Sequence, residues 1–108
     1  MATSKITPRI IKDSDKTAVN SYVSCRMASG IVFVWGQSSG QLTLAADTWN
    51  SVGTLPEAFR PSENVYFIAD NTARAAAMRG YIGTDGSINL YPDSSATSYW
   101  LVYMSFIK

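Results

Sequence analysis

The 108-residue chain has no histidine and a single cysteine, Cys25. The first absence removes the commonest general base and metal ligand. The second excludes an internal disulfide and a thiolate metal site. Cys25 stands mid-run in Ser-Tyr-Val-Ser-Cys-Arg-Met and reads as a small buried hydrophobe. Charge is scarce as well: 16% of residues are charged, against about a quarter in an ordinary soluble domain. The net charge is +1 and no run of like charge occurs. Arg74 and Arg79 are the nearest approach to a basic cluster, so the basic face that displaces counterions from a nucleic acid is missing. No apolar run approaches the roughly 20 residues of a membrane-spanning helix, and no membrane insertion is expected. The opening Met-Ala-Thr-Ser-Lys-Ile lacks the apolar core of a secretory signal.

What the chain does have is a regular texture. Residues 1–18 are polar, hold Pro8 and sustain no period of 2 or 3.6, so they read as an extended arm or linker. From Val19 onward, short apolar runs alternate with clusters of Gly, Ser, Asn, Asp and Pro. That spacing predicts an all-β, antiparallel β-sandwich or jelly-roll-like domain over 19–108. About eight strands are expected, at 19–28, 31–37, 41–46, 49–54, 65–70, 74–83, 87–91 and 98–107. Gly30 and the Ser38-Ser39-Gly40 triplet read as turns. Thr84-Asp85-Gly86-Ser87 is the clearest hairpin, because glycine tolerates the positive φ of such a turn. Asn71–Arg79 is rich in helix formers, but it runs through Gly80-Tyr81-Ile82-Gly83 straight into that hairpin, which favours a strand.

Catalytic templates each lack a part. The serines have no base and no nucleophile-elbow context, and the carboxylates fall almost wholly in turns, where they are common. Asp13-Ser14-Asp15 has neither the glycine nor the closing glutamate of a calcium loop. No enzyme activity, cofactor or metal is expected.

The aromatics are the informative population: Trp35, Trp49 and Trp100, with six tyrosines. Exposed Trp and Tyr anchor interfaces and stack on ligand rings, whereas Trp35, inside an apolar run, suits a core. Tyr91 and Tyr99 flank the small polar loop 92–98, which places a candidate ligand site at Tyr91, Asp93, Ser94 and Tyr99. Residues 99–107 are apolar on both faces of a strand, and 31–37 share that character. One sheet face is therefore predicted to need a partner, and Phe33, Trp35, Trp100, Val102, Met104 and Phe106 are assigned to such an interface. The competing arrangement is that the arm folds back over this face within one chain.

One stretch is not generic. Trp49-Asn50-Ser51-Val52-Gly53-Thr54-Leu55-Pro56-Glu57-Ala58-Phe59-Arg60-Pro61-Ser62, followed by Val65-Tyr66-Phe67, the Gly80–Ile88 hairpin and the closing aromatic strand, resembles the C-terminal β-domain of tailed-phage and prophage tail-fibre or baseplate proteins. The resemblance covers about residues 19–107. Within it, Pro56 and Pro61 fix a rigid connection, Leu55 and Phe59 are placed to plug the end of the core, and Arg60 to cap the crossover.

That resemblance implies a homotrimeric head domain on a virion appendage, assembled in the bacterial host cytoplasm and recognising a host-surface receptor, commonly a glycan. Other virion proteins would then meet the chain through the arm. The alternatives are an architectural or decoration subunit that binds only virion proteins, and a stand-alone lectin.

Overall fold

The computed structural model describes residues 16–74, 76–93 and 95–108. Among them run eight strands: β1 (Thr17–Ala18), β2 (Val23–Ala28), β3 (Ile31–Leu44), β4 (Asn50–Thr54), β5 (Val65–Asn71), β6 (Ala76–Ile82), β7 (Ser87–Tyr91) and β8 (Thr97–Ile107). The only helical piece among the described residues is a 3-10 turn at Glu57–Phe59. All pairings are antiparallel, in the order β1-β2-β3-β8-β5-β6-β7-β4. The all-β class and strand number are those the sequence predicts, and the strands form one continuous curled sheet. β5 meets β8 at only two pairs, Asp70–Leu101 and Asn71–Trp100.

The ends of the strand order come together at Asn20. Its side-chain amide donates to the Val52 carbonyl of β4 at 2.8 Å, and its oxygen accepts from the Tyr22 and Val23 backbone amides at 2.8 and 2.9 Å. One asparagine thus stitches the β1–β2 connection to the far strand. The approach is close: a Cβ on Gly53 would lie 2.9 Å from the Asn20 amide nitrogen.

Alternation decides which face goes inside. Val23 and Cys25 of β2, Val32 and Val34 of β3, Ile88 and Leu90 of β7, and Trp100 and Val102 of β8 are fully buried. Trp100 also satisfies its indole N–H, which donates to the Leu42 carbonyl at 3.1 Å, as a buried polar group must. Cys25 lies in this core, and burial pushes its thiol up from the usual value.

The turn chemistry is local. Ser29 and Gly30 both take positive φ (52° and 78°) between the paired Ala28 and Ile31, the geometry of a two-residue hairpin whose twist matches its strands. At the β6–β7 hairpin, Gly86 N–H donates to the Gly83 carbonyl at 2.9 Å and Gly83 N–H to the Ser87 carbonyl at 3.0 Å. Gly86 has φ +88°. The Asp85 carboxylate accepts from the Ser87 amide (3.0 Å) and hydroxyl (2.8 Å); these bonds, the amide's first, hold its pKa below the usual carboxylate value. The Pro56–Pro61 corner packs against this turn. Leu55 and Phe59 are buried, Leu55 N–H donates to the Gly86 carbonyl at 2.9 Å, and Arg60 Nε donates to the Leu55 carbonyl at 2.9 Å.

Two sequence expectations are corrected here. Ser38-Ser39-Gly40 is not a turn between strands 31–37 and 41–46; it is a bulge inside the single strand β3, where the register against β8 shifts between Ser39 and Leu44. The Ser38 hydroxyl donates to the Ser98 carbonyl and accepts from the Gln41 and Leu42 amides, so the side chain supplies bonds the ladder loses. The interface assignment also fails for three residues: Trp100, Val102 and Phe106 are core, and Met104 packs against the core half-buried. The strand has two apolar faces, and alternation alone leaves open which one turns inward. Residues 1–15, including most of the expected arm and Asp13-Ser14-Asp15, lie outside the described residues, while Thr17 and Ala18 of that arm form β1.

Candidate aromatic binding groove

The outward side chains of β5, β6 and β7 fall into rows. The register sets Ile68 beside Arg79 and Arg79 beside Tyr91; one step along, Tyr66 lies beside Tyr81 and Tyr81 beside Asn89. Cross-strand neighbours of this kind touch on one face of a sheet. Trp49, just before β4, completes the first row. Its ring meets Tyr81 edge-on at 4.7 Å and Tyr91 at 5.2 Å, and Tyr81 reaches Tyr66 at 5.7 Å. Edge-to-face contacts fix ring orientation, so Trp49 is held in place although 40% exposed.

A groove of about 330 Å³ runs along this surface, lined by Trp49, Tyr66, Phe67, Ile68, Arg79 and Gly80. On the opposite, core-facing side of these strands, the Phe67 ring lies on Gly80 so closely that a Cβ there would meet ring carbons at 2.5 and 2.6 Å. At the rim, the Arg79 guanidinium stacks over the Tyr91 ring at 4.2 Å and stands 5.9 Å from the Trp49 ring. It also pairs with Asp93 at 3.6 Å, with both side chains more than half exposed. An exposed pair of that length is weak, so both groups remain available to a ligand. The groove therefore joins an orientated aromatic platform to a cation and a carboxylate.

The sequence-predicted ligand residues divide. Tyr91 and Asp93 belong to this cluster, but the Arg79 guanidinium occupies one face of the Tyr91 ring. Ser94 lies outside the described residues. Tyr99 is elsewhere: it is paired with Ser39 across β3–β8, with its hydroxyl close by Gly40. Flanking one loop does not bring Tyr91 and Tyr99 together, because β5 and β6 separate their strands in the sheet order. The sequence reading missed Tyr66, Ile68, Arg79 and Tyr81 as a group. The signal that finds them is the register of 65–71 against 76–82, which the hairpin at 83–86 propagates.

A second aromatic surface covers β2, β3 and β8. Phe33 and Trp35 lie there half-buried, opposite Ser105 and Tyr103, so Trp35 faces outward and is not the core residue its apolar run suggests. A depression of about 440 Å³ is lined by Arg26, Phe33, Trp35 and Tyr103, and a second, of about 390 Å³, continues past Trp35 and Tyr103 to Tyr22 and Leu101. Tyr103 stands between them, 77% exposed. Among the described residues, Arg26 is the only charged residue lining these depressions, and Ser24 and Gln37 also line the second.

No protein-family model matches the chain, and no curated protein matches it in sequence. Among solved structures, the chain is similar to the head domain of phage bIL170, whose crystal structure was described in asking whether the receptor binding domains of lactococcal phages share a common fold. The TM-score is 0.58 at 18% sequence identity, covering 90% of this chain and 97% of that one. The chain thus shares the fold of that phage head domain.

Proposed function

We propose that this domain is a receptor-recognising head of a bacteriophage virion, and that it holds a host-surface saccharide in the groove beside Trp49. The fold likeness to a phage head domain supports the first half. The observation that carries the second is the exposed Trp49 ring, fixed by Tyr81 and Tyr91, next to the loosely paired Arg79 and Asp93. The C–H face of a sugar ring stacks on an indole, while a guanidinium donates to ring hydroxyls and a carboxylate accepts from them. A few polar groups on an apolar platform are the usual composition of a small-ligand site. The groove is shallow, so one site binds weakly and gains strength when several heads engage one cell surface.

An array of bacterial surface glycans tests the reading. Wild type should retain at least one glycan, and Trp49→Ala should weaken it more than about tenfold, the loss of roughly 1.4 kcal/mol or more expected for a central aromatic anchor. Retention of the same glycans by Trp49→Ala at wild-type strength would remove the groove from the account. Retention of none by wild type would favour the architectural subunit.

A further inference from the structure

We infer that the aromatic face of β2, β3 and β8 is a docking surface for residues 6–15 of the same chain. The described chain starts at Lys16, one residue before β1. Because Thr17 pairs with Cys25 and Ala18 with Ser24, Lys16 lies level with Arg26, on the side of the sheet that Ala18 and Ser24 share. Arg26 is the residue that opens the 440 Å³ depression. Lys16 therefore stands at the rim of the face, on the face's own side.

The distances fit. From β1 to β8 the sheet takes three interstrand steps, β1-β2-β3-β8, about 14 Å at ~4.8 Å each. Ile11 precedes Lys16 by five residues, about 17 Å of extended chain at ~3.3 Å per residue. A direct path from Lys16 across the sheet delivers Ile10 and Ile11 to Trp35 and Tyr103. Their chemistry fits as well. Ile6, Ile10 and Ile11 are the arm's large apolar side chains and are unfavourable in water. The face gathers Tyr22, Phe33, Trp35 and Tyr103 on one surface, and contiguous apolar patches of this kind mark interaction sites. Asp13 and Asp15 stand within three residues of Lys16, and docking would carry their carboxylates past Arg26, a residue with no carboxylate partner among the described residues. This occupant is independent of the saccharide reading, which concerns the opposite end of the strand order, and it takes the face that the two-sided apolar pattern of 31–37 and 99–107 assigns to a partner.

Paramagnetic broadening tests it on the full chain. A nitroxide is attached at Ile10→Cys; Cys25 is wholly buried and stays unlabelled in the native protein. In 15N-labelled protein, the expected result is intensity loss strongest at the amides of Arg26, Trp35 and Tyr103 and small at those of Trp49 and Tyr91. A mixed sample, in which the nitroxide is carried only by 14N protein, should show no loss on the 15N partner. Loss confined to the mixed sample, or as strong there, puts the arm on another copy and overturns the inference. Absence of loss in both samples, or uniform loss over the whole domain, overturns it too. As a second measurement, Tyr103→Asp, an exposed position, should restore at least half of the lost intensity at Arg26 and Trp35; unchanged broadening in that variant contradicts docking on this face.

Discussion

Replacing Gly86 by alanine probes the corner that joins the β6–β7 hairpin to the Leu55–Arg60 crossover. Two costs add. Gly86 has φ +88°, and holding a residue with a Cβ in left-handed backbone costs about 1–2 kcal/mol. The new Cβ would also lie 2.7 Å from the Leu55 carbonyl oxygen and 2.8 Å from Arg60 Nε, inside contact distance. Relief requires moving the corner and weakens the Leu55 N–H to Gly86 and Arg60 to Leu55 hydrogen bonds, at about 1 kcal/mol each. The expected destabilisation is about 2–4 kcal/mol, a large part of a typical domain's stability. Gly86→Val should cost more, because a β-branched residue is stiffer still. Equilibrium urea unfolding reads this as a midpoint lowered by about 1–2 M, given slopes near 2 kcal/mol per M. A loss below about 0.5 kcal/mol for Gly86→Ala would refute both the left-handed turn and the packing of the crossover on it.

Other positions make separate demands. Gly80→Ala drives a Cβ into the Phe67 ring on the core side of the sheet; thermal unfolding should show about 1–3 kcal/mol of destabilisation from overpacking. Asn20→Ala removes the stitch to Val52 and the acceptor for two backbone amides, and should cost about 1–3 kcal/mol in denaturant titration. Asp85 has a folded pKa below its unfolded value, so its stabilising contribution is present above the unfolded pKa, about 3.9, and is lost as pH falls through the lower folded value. The stability gap between wild type and Asp85→Asn should therefore close as unfolding curves are taken from neutral pH down into that acid range, and a gap that is constant with pH would contradict the role of the Ser87 hydrogen bonds.

How much was legible in the sequence varies with the range of the interaction. The hairpin at Asp85-Gly86 and the strand at 76–82 follow from local chemistry: a glycine at a positive φ and the pairing it imposes on its flanks. The corner from Leu55 to Arg60 was legible for the same reason, since two prolines limit the path. The β3 bulge was not, because Ser-Ser-Gly is also the composition of a turn; what keeps the strand going is Ser38 bonding to Ser98, sixty residues away. The inward face of β8 was illegible because Trp100 and Tyr103 are equally aromatic, and only the core's need for the even-numbered set decides. The binding groove lay between these cases. Its residues were visible as a surplus of aromatics, but Tyr91 was grouped with Tyr99 by sequence proximity, whereas the sheet order groups it with Arg79 and Trp49.

The most direct test of the central claim is binding of the fluorescently labelled domain to a panel of intact bacterial strains, with periodate-oxidised cells alongside. A saccharide-recognising head predicts saturable binding to at least one strain, abolished on oxidised cells and reduced more than about tenfold by Trp49→Ala, in line with the loss of a central aromatic anchor. Binding that survives both periodate and Trp49→Ala, or no binding to any strain, would contradict it.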